Sequence, residues 1–184
     1  MTRLVLVRHG RPAINRAEPP HRWTLAAEAT AQVRAIGPVG DHAATWFSSP
    51  EPKALATAAL LRPGHVEPVA DLREAERTAA WMADPEEFRA VVRRSFEHPD
   101  EPGMVGWEPL ASCRDRVTAA VRKLLGASRT TVLVGHGTAW TLLVAELTGD
   151  APDLDAWATM PMPAAAELDV APDGRAALVR TWRG

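Results

Sequence analysis

The chain has 184 residues, six histidines, one cysteine and a net charge of −2. That length suits one domain with a full core. A single cysteine excludes an internal disulfide, and a near-neutral balance without a Lys/Arg-rich run gives nucleic acid no footing. No apolar run reaches the ~18 residues of a membrane span. The first residues enter a strand without a charged, apolar and cleavable leader, so a cytoplasmic protein is expected.

Leu4 to Val7 form a short apolar, β-branched run that predicts a buried strand over residues 3–8, and it ends abruptly in Arg8-His9-Gly10. A cation and an imidazole at the C-terminal end of a buried strand stand where open α/β sheets place ligands. Gly10 permits a sharp turn and a close ligand approach. A surface arginine and a capped histidine would look the same. A polar loop with Pro12, Pro19 and Pro20 follows. Thr24 predicts the cap of a helix with apolar positions through Val33 and Ile36, stopping near Gly37-Pro38. Residues 45–47 predict a short strand running into Ser48-Ser49-Pro50, residues 52–61 a helix and residues 65–69 a strand.

Further along, Asp84 and Pro85 predict the N-cap and first position of a helix through about Phe96. Residues 98–106 are Pro/Gly-rich loop, and residues 109–125 a helix with apolar positions at Val117, Val121, Leu124 and Leu125. Residues 130–134 are a second apolar, β-branched strand, and the chain after it reads Gly135-His136-Gly137 before a helix over 138–147. Residues 164–170 and 175–182 predict a hairpin turning at Pro172-Asp173-Gly174. Strands alternating with helices predict an α/β fold: a three-layer, doubly wound, mostly parallel sheet, to which the final hairpin adds an antiparallel edge. Cys113 reads as a small buried or half-buried thiol on a helix. Of the seven tryptophans, Trp23, Trp81 and Trp107 lie in polar or loop-like contexts and are candidates for lining a pocket.

Two parallel strands that each finish in His-Gly would bring His9 and His136 to one sheet edge. Together with Arg8-His9-Gly10 and His136-Gly137, three further segments occur in order. Asn15 lies six residues after His9. Ser48-Ser49-Pro50-Glu51-Pro52-Lys53-Ala54-Leu55-Ala56-Thr57-Ala58 matches a Ser-Ser-Pro-x-x-Arg-Ala-x-x-Thr-Ala pattern except at Lys53. Leu72-Arg73-Glu74 matches a Leu-x-Glu pattern. This ordered set, from Arg3 to about Gly149, resembles the histidine phosphatase superfamily, the phosphoglycerate-mutase-like proteins, and within it the small phosphatases.

The resemblance implies a single phosphoglycerate-mutase-like domain over residues 1–184, with a lid or insertion at about 77–109. It implies a metal-independent, cofactor-free phosphatase that takes a small phosphorylated metabolite through a phosphohistidine intermediate. Removing a phosphoryl group needs an in-line nucleophile, cations around its oxygens and a proton for the leaving oxygen. His9 is the implied nucleophile, which requires one unprotonated ring nitrogen with the other held as a donor. Arg8, through its planar fork, and His136 are the implied clamp on the phosphate. Asn15, Lys53, Gly137 and Thr138 are the further phosphate- or substrate-binding residues, the last two through backbone N–H groups opening a helix.

Glu74 is the implied general acid, expected to have a raised pKa in a partly desolvated pocket; Glu76 is its runner-up. Lys53 stands where the family has arginine and keeps the charge without the fork; Arg11, Arg16 or Arg22 could take over. The family's Gly-x-Trp-Glu-Gly continuation is replaced by Ala75-Glu76-Arg77-Thr78-Ala79-Ala80-Trp81. Arg73 and Arg77 there either pair with the acids, reach the substrate or decorate the surface. A mutase, a phosphoprotein phosphatase and a phosphate-binding regulatory relative with little turnover remain as alternatives. No histidine pair has helical ligand spacing with a nearby carboxylate, so a metal site is not expected. Monomer and homodimer are both compatible with the sequence.

Overall fold

The computed structural model describes residues 1–78, 82–126 and 128–184. Its strands are β1 (Thr2–Arg8), β2 (Thr45–Ser48), β3 (Glu67–Pro68), β4 (Thr130–Gly135), β5 (Ala164–Val170) and β6 (Ala176–Arg183). They form one mixed sheet in the order β3-β2-β4-β1-β5-β6. The pairs β2–β3, β2–β4 and β1–β4 are parallel, and β1–β5 and β5–β6 are antiparallel. The helices are α1 (Ala29–Ala35), α2 (Pro52–Leu61), α3 (Pro85–Glu97), α4 (Leu110–Leu124), α5 (Gly137–Thr148) and α6 (Leu154–Thr159). This is the expected α/β architecture with an antiparallel edge.

The middles of the two central strands, Leu4–Val7 and Val132–Val134, are apolar because both of their faces are covered. Side chains alternate across the sheet. Leu4, Leu6 and Leu133 enter one core with Val117 and Val121 of α4 and Leu143 and Leu147 of α5. Val5, Val7, Val132 and Val134 enter the other with Ile36, Trp46, Ala54 and Ala58. The register runs from Arg3 opposite Thr130 to Arg8 opposite Gly135. The two strands therefore end level, and the His9 N–H continues the ladder by donating to Gly135 O at 2.9 Å.

Several predicted boundaries move. Thr24 does not cap α1: the chain at Pro12 and Leu25 forms an antiparallel bridge, and the helix begins only at Ala29. The strand expected over 65–69 shrinks to β3, because only Phe47 and Ser48 of β2 offer partners there. The short helix α6, capped by the Asp153 side chain, adds to the expected set. Elsewhere local chemistry prevails. The Asp84 carboxylate accepts from the Glu86 N–H at 2.8 Å with Pro85 at the first helical position. The hairpin turns where Gly174 N donates to Ala171 O and Ala171 N to Arg175 O.

Candidate active site

The level ends of β1 and β4 place the two His-Gly pairs side by side. The imidazole centroids of His9 and His136 lie 5.1 Å apart with the rings inclined at 67°. Both side chains are buried. His9 Nδ1 lies 2.6 Å from Gly10 O, a contact that requires Nδ1 to carry the proton and leaves Nε2 with a free lone pair. Burial, then the neighbouring His136, pushes the His9 pKa well below the ordinary imidazole range. Gly10 is demanded by space: a Cβ there would stand 2.6 Å from Val33 Cγ2 and 2.8 Å from Leu25 Cδ1.

His136 is the N-cap residue of α5 and has no exposed surface. Its Nε2 lies 2.8 Å from Ser49 Oγ and 3.3 Å from Glu51 Oε1, and its Nδ1 is buried without a hydrogen-bond partner. Burial is the largest influence on it; Glu74 pulls its pKa up, while Lys53, Arg8 and Arg77 push it down, to about 3. His136 is therefore neutral at physiological pH. Arg8 donates through Nη1 to Met160 O. Its guanidinium packs over Gly137, where a Cβ would come within 3.1 Å of Nε.

Glu74 is brought to the site but in an unexpected state. Its carboxylate accepts from the N–H groups of Ala75 at 3.0 Å, Thr138 at 3.1 Å and Ala139 at 2.9 Å. It thus occupies the N-terminus of α5, the place the sequence assigned to a phosphate oxygen. Burial alone would raise its pKa. His136, Arg77 and the donated N–H groups outweigh burial and bring it down to about 2. The expected raised pKa is thereby corrected: a carboxylate that receives three backbone donors is held ionised. Thr138 is engaged as well, its N–H by Glu74 and its Oγ1 by Arg77 Nη2 at 3.1 Å and Trp157 Nε1 at 3.2 Å.

The turn that carries Glu74 is fastened from α4. Arg116 donates to the carbonyls of Asp71, Arg73 and Glu74 at 2.8, 3.1 and 3.4 Å, and pairs with Glu108 at 2.7 Å. Glu76 lines the cavity from an exposed position.

Lys53 lies in the site as expected, on the first turn of α2, but its ammonium is spoken for. It is buried, donates to Pro20 O at 2.8 Å and forms an ion pair with Glu51. In the sequence Glu51 falls at a variable position of the Ser-Ser-Pro segment. Its carboxylate nevertheless joins Lys53, the Glu74 N–H at 2.9 Å and His136. The available signal was a carboxylate two residues before a lysine, at the start of a helix that buries Lys53, Ala54 and Thr57.

Asn15 is not brought in. Its side chain accepts from Ala17 N at 3.1 Å, closing its own turn, and the residue does not line the cavity. That cavity, of about 1540 Å³, is lined by Arg8, His9, Glu51, Lys53, Glu74 and His136. Its outer wall includes Trp23, Phe88 and Trp107. Trp23 and Trp107 thus line a pocket as expected, while Trp81 lies outside the described residues. Cys113 is buried, and burial pushes its thiol up to about 12, which leaves it inert. Among the described residues, no group of three or more His, Cys, Asp or Glu side chains is placed to hold a metal ion, and no helix is long and apolar enough to cross a membrane.

Comparison with known proteins places this geometry. The family model of the histidine phosphatase superfamily (branch 1) matches residues 4–183. The chain belongs to that superfamily, and with it to the phosphatase enzymes. It is similar in fold to a mycobacterial glucosyl-3-phosphoglycerate phosphatase, with 20% identity, 97% of each chain covered and a TM-score of 0.75. An Escherichia coli candidate alpha-ribazole-5'-P phosphatase is 19% identical over 98% of this chain and 95% of its own, with a TM-score of 0.72. The Thermus thermophilus protein TTHB049 is 27% identical over 98% and 99%, with a TM-score of 0.66. No curated protein sequence matches the chain.

Proposed function

We propose that the protein hydrolyses a small phosphomonoester through a phosphohistidine at His9, without a metal. The observation that carries this reading is the state of His9: buried, neutral, and with Nδ1 fixed on Gly10 O, so that Nε2 is the nucleophilic nitrogen. In the first step Nε2 attacks phosphorus and the ester P–O bond breaks. In the second, water attacks phosphorus, the P–N bond breaks, and inorganic phosphate leaves. Arg8 spans two equatorial oxygens with its fork. His136 supports a third once a proton from solvent, favoured by the dianion's charge, has added to Nδ1, with Nε2–H donating to Ser49 and Glu51.

Glu74 enters ionised, so the leaving-group proton arrives with the substrate. A phosphomonoester holds its second proton with a pKa of about 6. The monoanion brings that proton to Glu74, which relays it across the site. Glu74 then gives the proton to the leaving oxygen and, in the second step, takes one from the attacking water. The described residues of the segment over 77–109 serve as the cover of the cavity, since Arg77, Phe88 and Trp107 line it. Cations at the floor and aromatic rings at the wall suit a phosphorylated metabolite larger than phosphate itself. A binding relative with little turnover is the second reading, favoured by the ion pair that occupies Lys53.

Phosphate release decides between them. A panel of sugar phosphates, phosphoglycerates, nucleotides and p-nitrophenyl phosphate is incubated with EDTA, with His9→Ala as control. EDTA-resistant release that vanishes in His9→Ala is expected. No release by folded wild-type protein would leave the binding reading.

A further inference from the structure

The superfamily resemblance puts a second cation at Lys53, on the same cavity as Arg8. In this chain that charge is cancelled locally, because Lys53 is ion-paired with Glu51 and both side chains are only 5% and 6% exposed. Another cation stands across the cavity. The two ends of the 77–109 segment are laced together: Thr78 N donates to Gly106 O at 2.8 Å and Glu108 N to Glu76 O at 2.9 Å. This ladder sets Arg77 opposite Trp107. The Arg77 guanidinium lies 4.8 Å from the Trp107 ring centroid and 5.2 Å from that of Phe88. Its Nη2 donates to Thr138 Oγ1 at 3.1 Å, one residue beyond the glycine over which Arg8 packs.

We propose that Arg77 is the second guanidinium that holds the phosphoryl group of the substrate, taking the role that the Glu51–Lys53 pair withdraws from α2. The assignment rests on the phosphatase reading above and names a substrate-binding residue that the motifs do not contain.

Three features support it. The Nε atoms of Arg8 and Arg77 are both buried and without a hydrogen-bond partner, and a buried donor left unsatisfied is costly until an acceptor arrives. Burial disfavours the charge of both guanidinium groups, Arg77 adds to that at Arg8, and Glu74 opposes it at both; a dianion between them would add the negative charge that burial withholds. Finally, a guanidinium held against aromatic faces is planar, weakly hydrated and already oriented, so little freedom is lost when it grips an oxyanion.

The test is titration of inorganic phosphate into the full chain by calorimetry, repeated as competitive inhibition of p-nitrophenyl phosphate hydrolysis. Arg77→Ala is expected to weaken phosphate binding by about 10- to 100-fold, the range for a hydrogen bond to a charged group. Arg77→Met, which keeps an apolar side chain against the two rings, is expected to lose as much, and added guanidinium chloride at low concentration to restore binding to Arg77→Ala. A merely structural arginine would show neither the matching loss nor the rescue. Phosphate affinity within about twofold of wild type in either folded variant overturns the assignment, as does wild-type protein that binds no phosphate. If wild type binds phosphate yet hydrolyses nothing, the phosphatase reading fails, while the titration of the variants still decides the role of Arg77.

Discussion

Replacing Glu51 by glutamine probes the least expected part of the site. The carboxylate lies in an ion pair with Lys53 in which neither side chain is more than 6% exposed. Removing one member of such a pair leaves the other charge buried and uncompensated, at a cost of about 3–5 kcal/mol. The glutamine retains a carbonyl for the Glu74 N–H, which Glu51 accepts at 2.9 Å, so the lower end, about 3 kcal/mol, is the expected loss. For a chain of this size ~1 kcal/mol shifts Tm by about 2–4 °C, which gives a fall of about 6–12 °C. Differential scanning calorimetry at neutral pH measures it. The paired variant Glu51→Gln with Lys53→Met removes both charges, keeps the acceptor for the Glu74 N–H and is expected to recover most of the loss, since no buried charge is left uncompensated. A Glu51→Gln protein that melts within about 2 °C of wild type, or a double variant no more stable than the single one, would refute the buried-pair account.

Two further outcomes concern pH. Glu74 titrates at about 2 in the folded protein against an ordinary 4.5. Its folded pKa is depressed, so its contribution of about 3 kcal/mol is complete above about pH 4.5 and is lost as pH falls toward 2. Glu74→Gln should flatten the acid side of the stability curve in that window, as read by chemical denaturation. A curve parallel to wild type would show that the carboxylate is not held by Thr138 and Ala139. For catalysis, the low pKa of His9 predicts no acid limb near the ordinary imidazole value in kcat/KM against pH. An alkaline limb at about pH 6, where the substrate loses its second proton, is expected for alkyl phosphates and should weaken for p-nitrophenyl phosphate, whose leaving group needs no proton. An inflection at about 6.5 that survives the change of leaving group would point instead to a titrating histidine.

Much of the fold was legible because its centre is locally redundant. β1 and β4 hold short apolar runs that suit a strand covered on both faces, and each leads into a His-Gly pair. Helix–strand alternation predicts that the two strands run parallel, while their adjacency, which sets His9 beside His136, is seen only in the strand order of the sheet. Boundaries failed where partners rather than propensity decide. Thr24 has a capping side chain, but the chain at Leu25 is held in a bridge to Pro12, so α1 starts later. Site residues failed for the same reason. Lys53 was legible as a cation in the pocket, yet its charge is cancelled by Glu51, a position the motif leaves variable. Asn15 matched the motif and instead closes a turn. Glu74 was legible as an acid, while its ionised state depends on α5 pointing its free N–H groups at it, which no spacing within residues 72–74 encodes. Arg77 gains its place only through the backbone ladder to Trp107, thirty residues away in the sequence.

The central claim is that His9 carries the phosphoryl group. Rapid mixing of wild-type protein with an aryl phosphate, followed by an alkaline quench that preserves phosphohistidine, and peptide mass spectrometry, tests it directly. A phosphoryl adduct on the peptide containing His9, labile to acid, formed at the rate of phenol release and missing in His9→Ala, is the predicted result. Turnover with no adduct on His9, or undiminished turnover in His9→Ala, would contradict it.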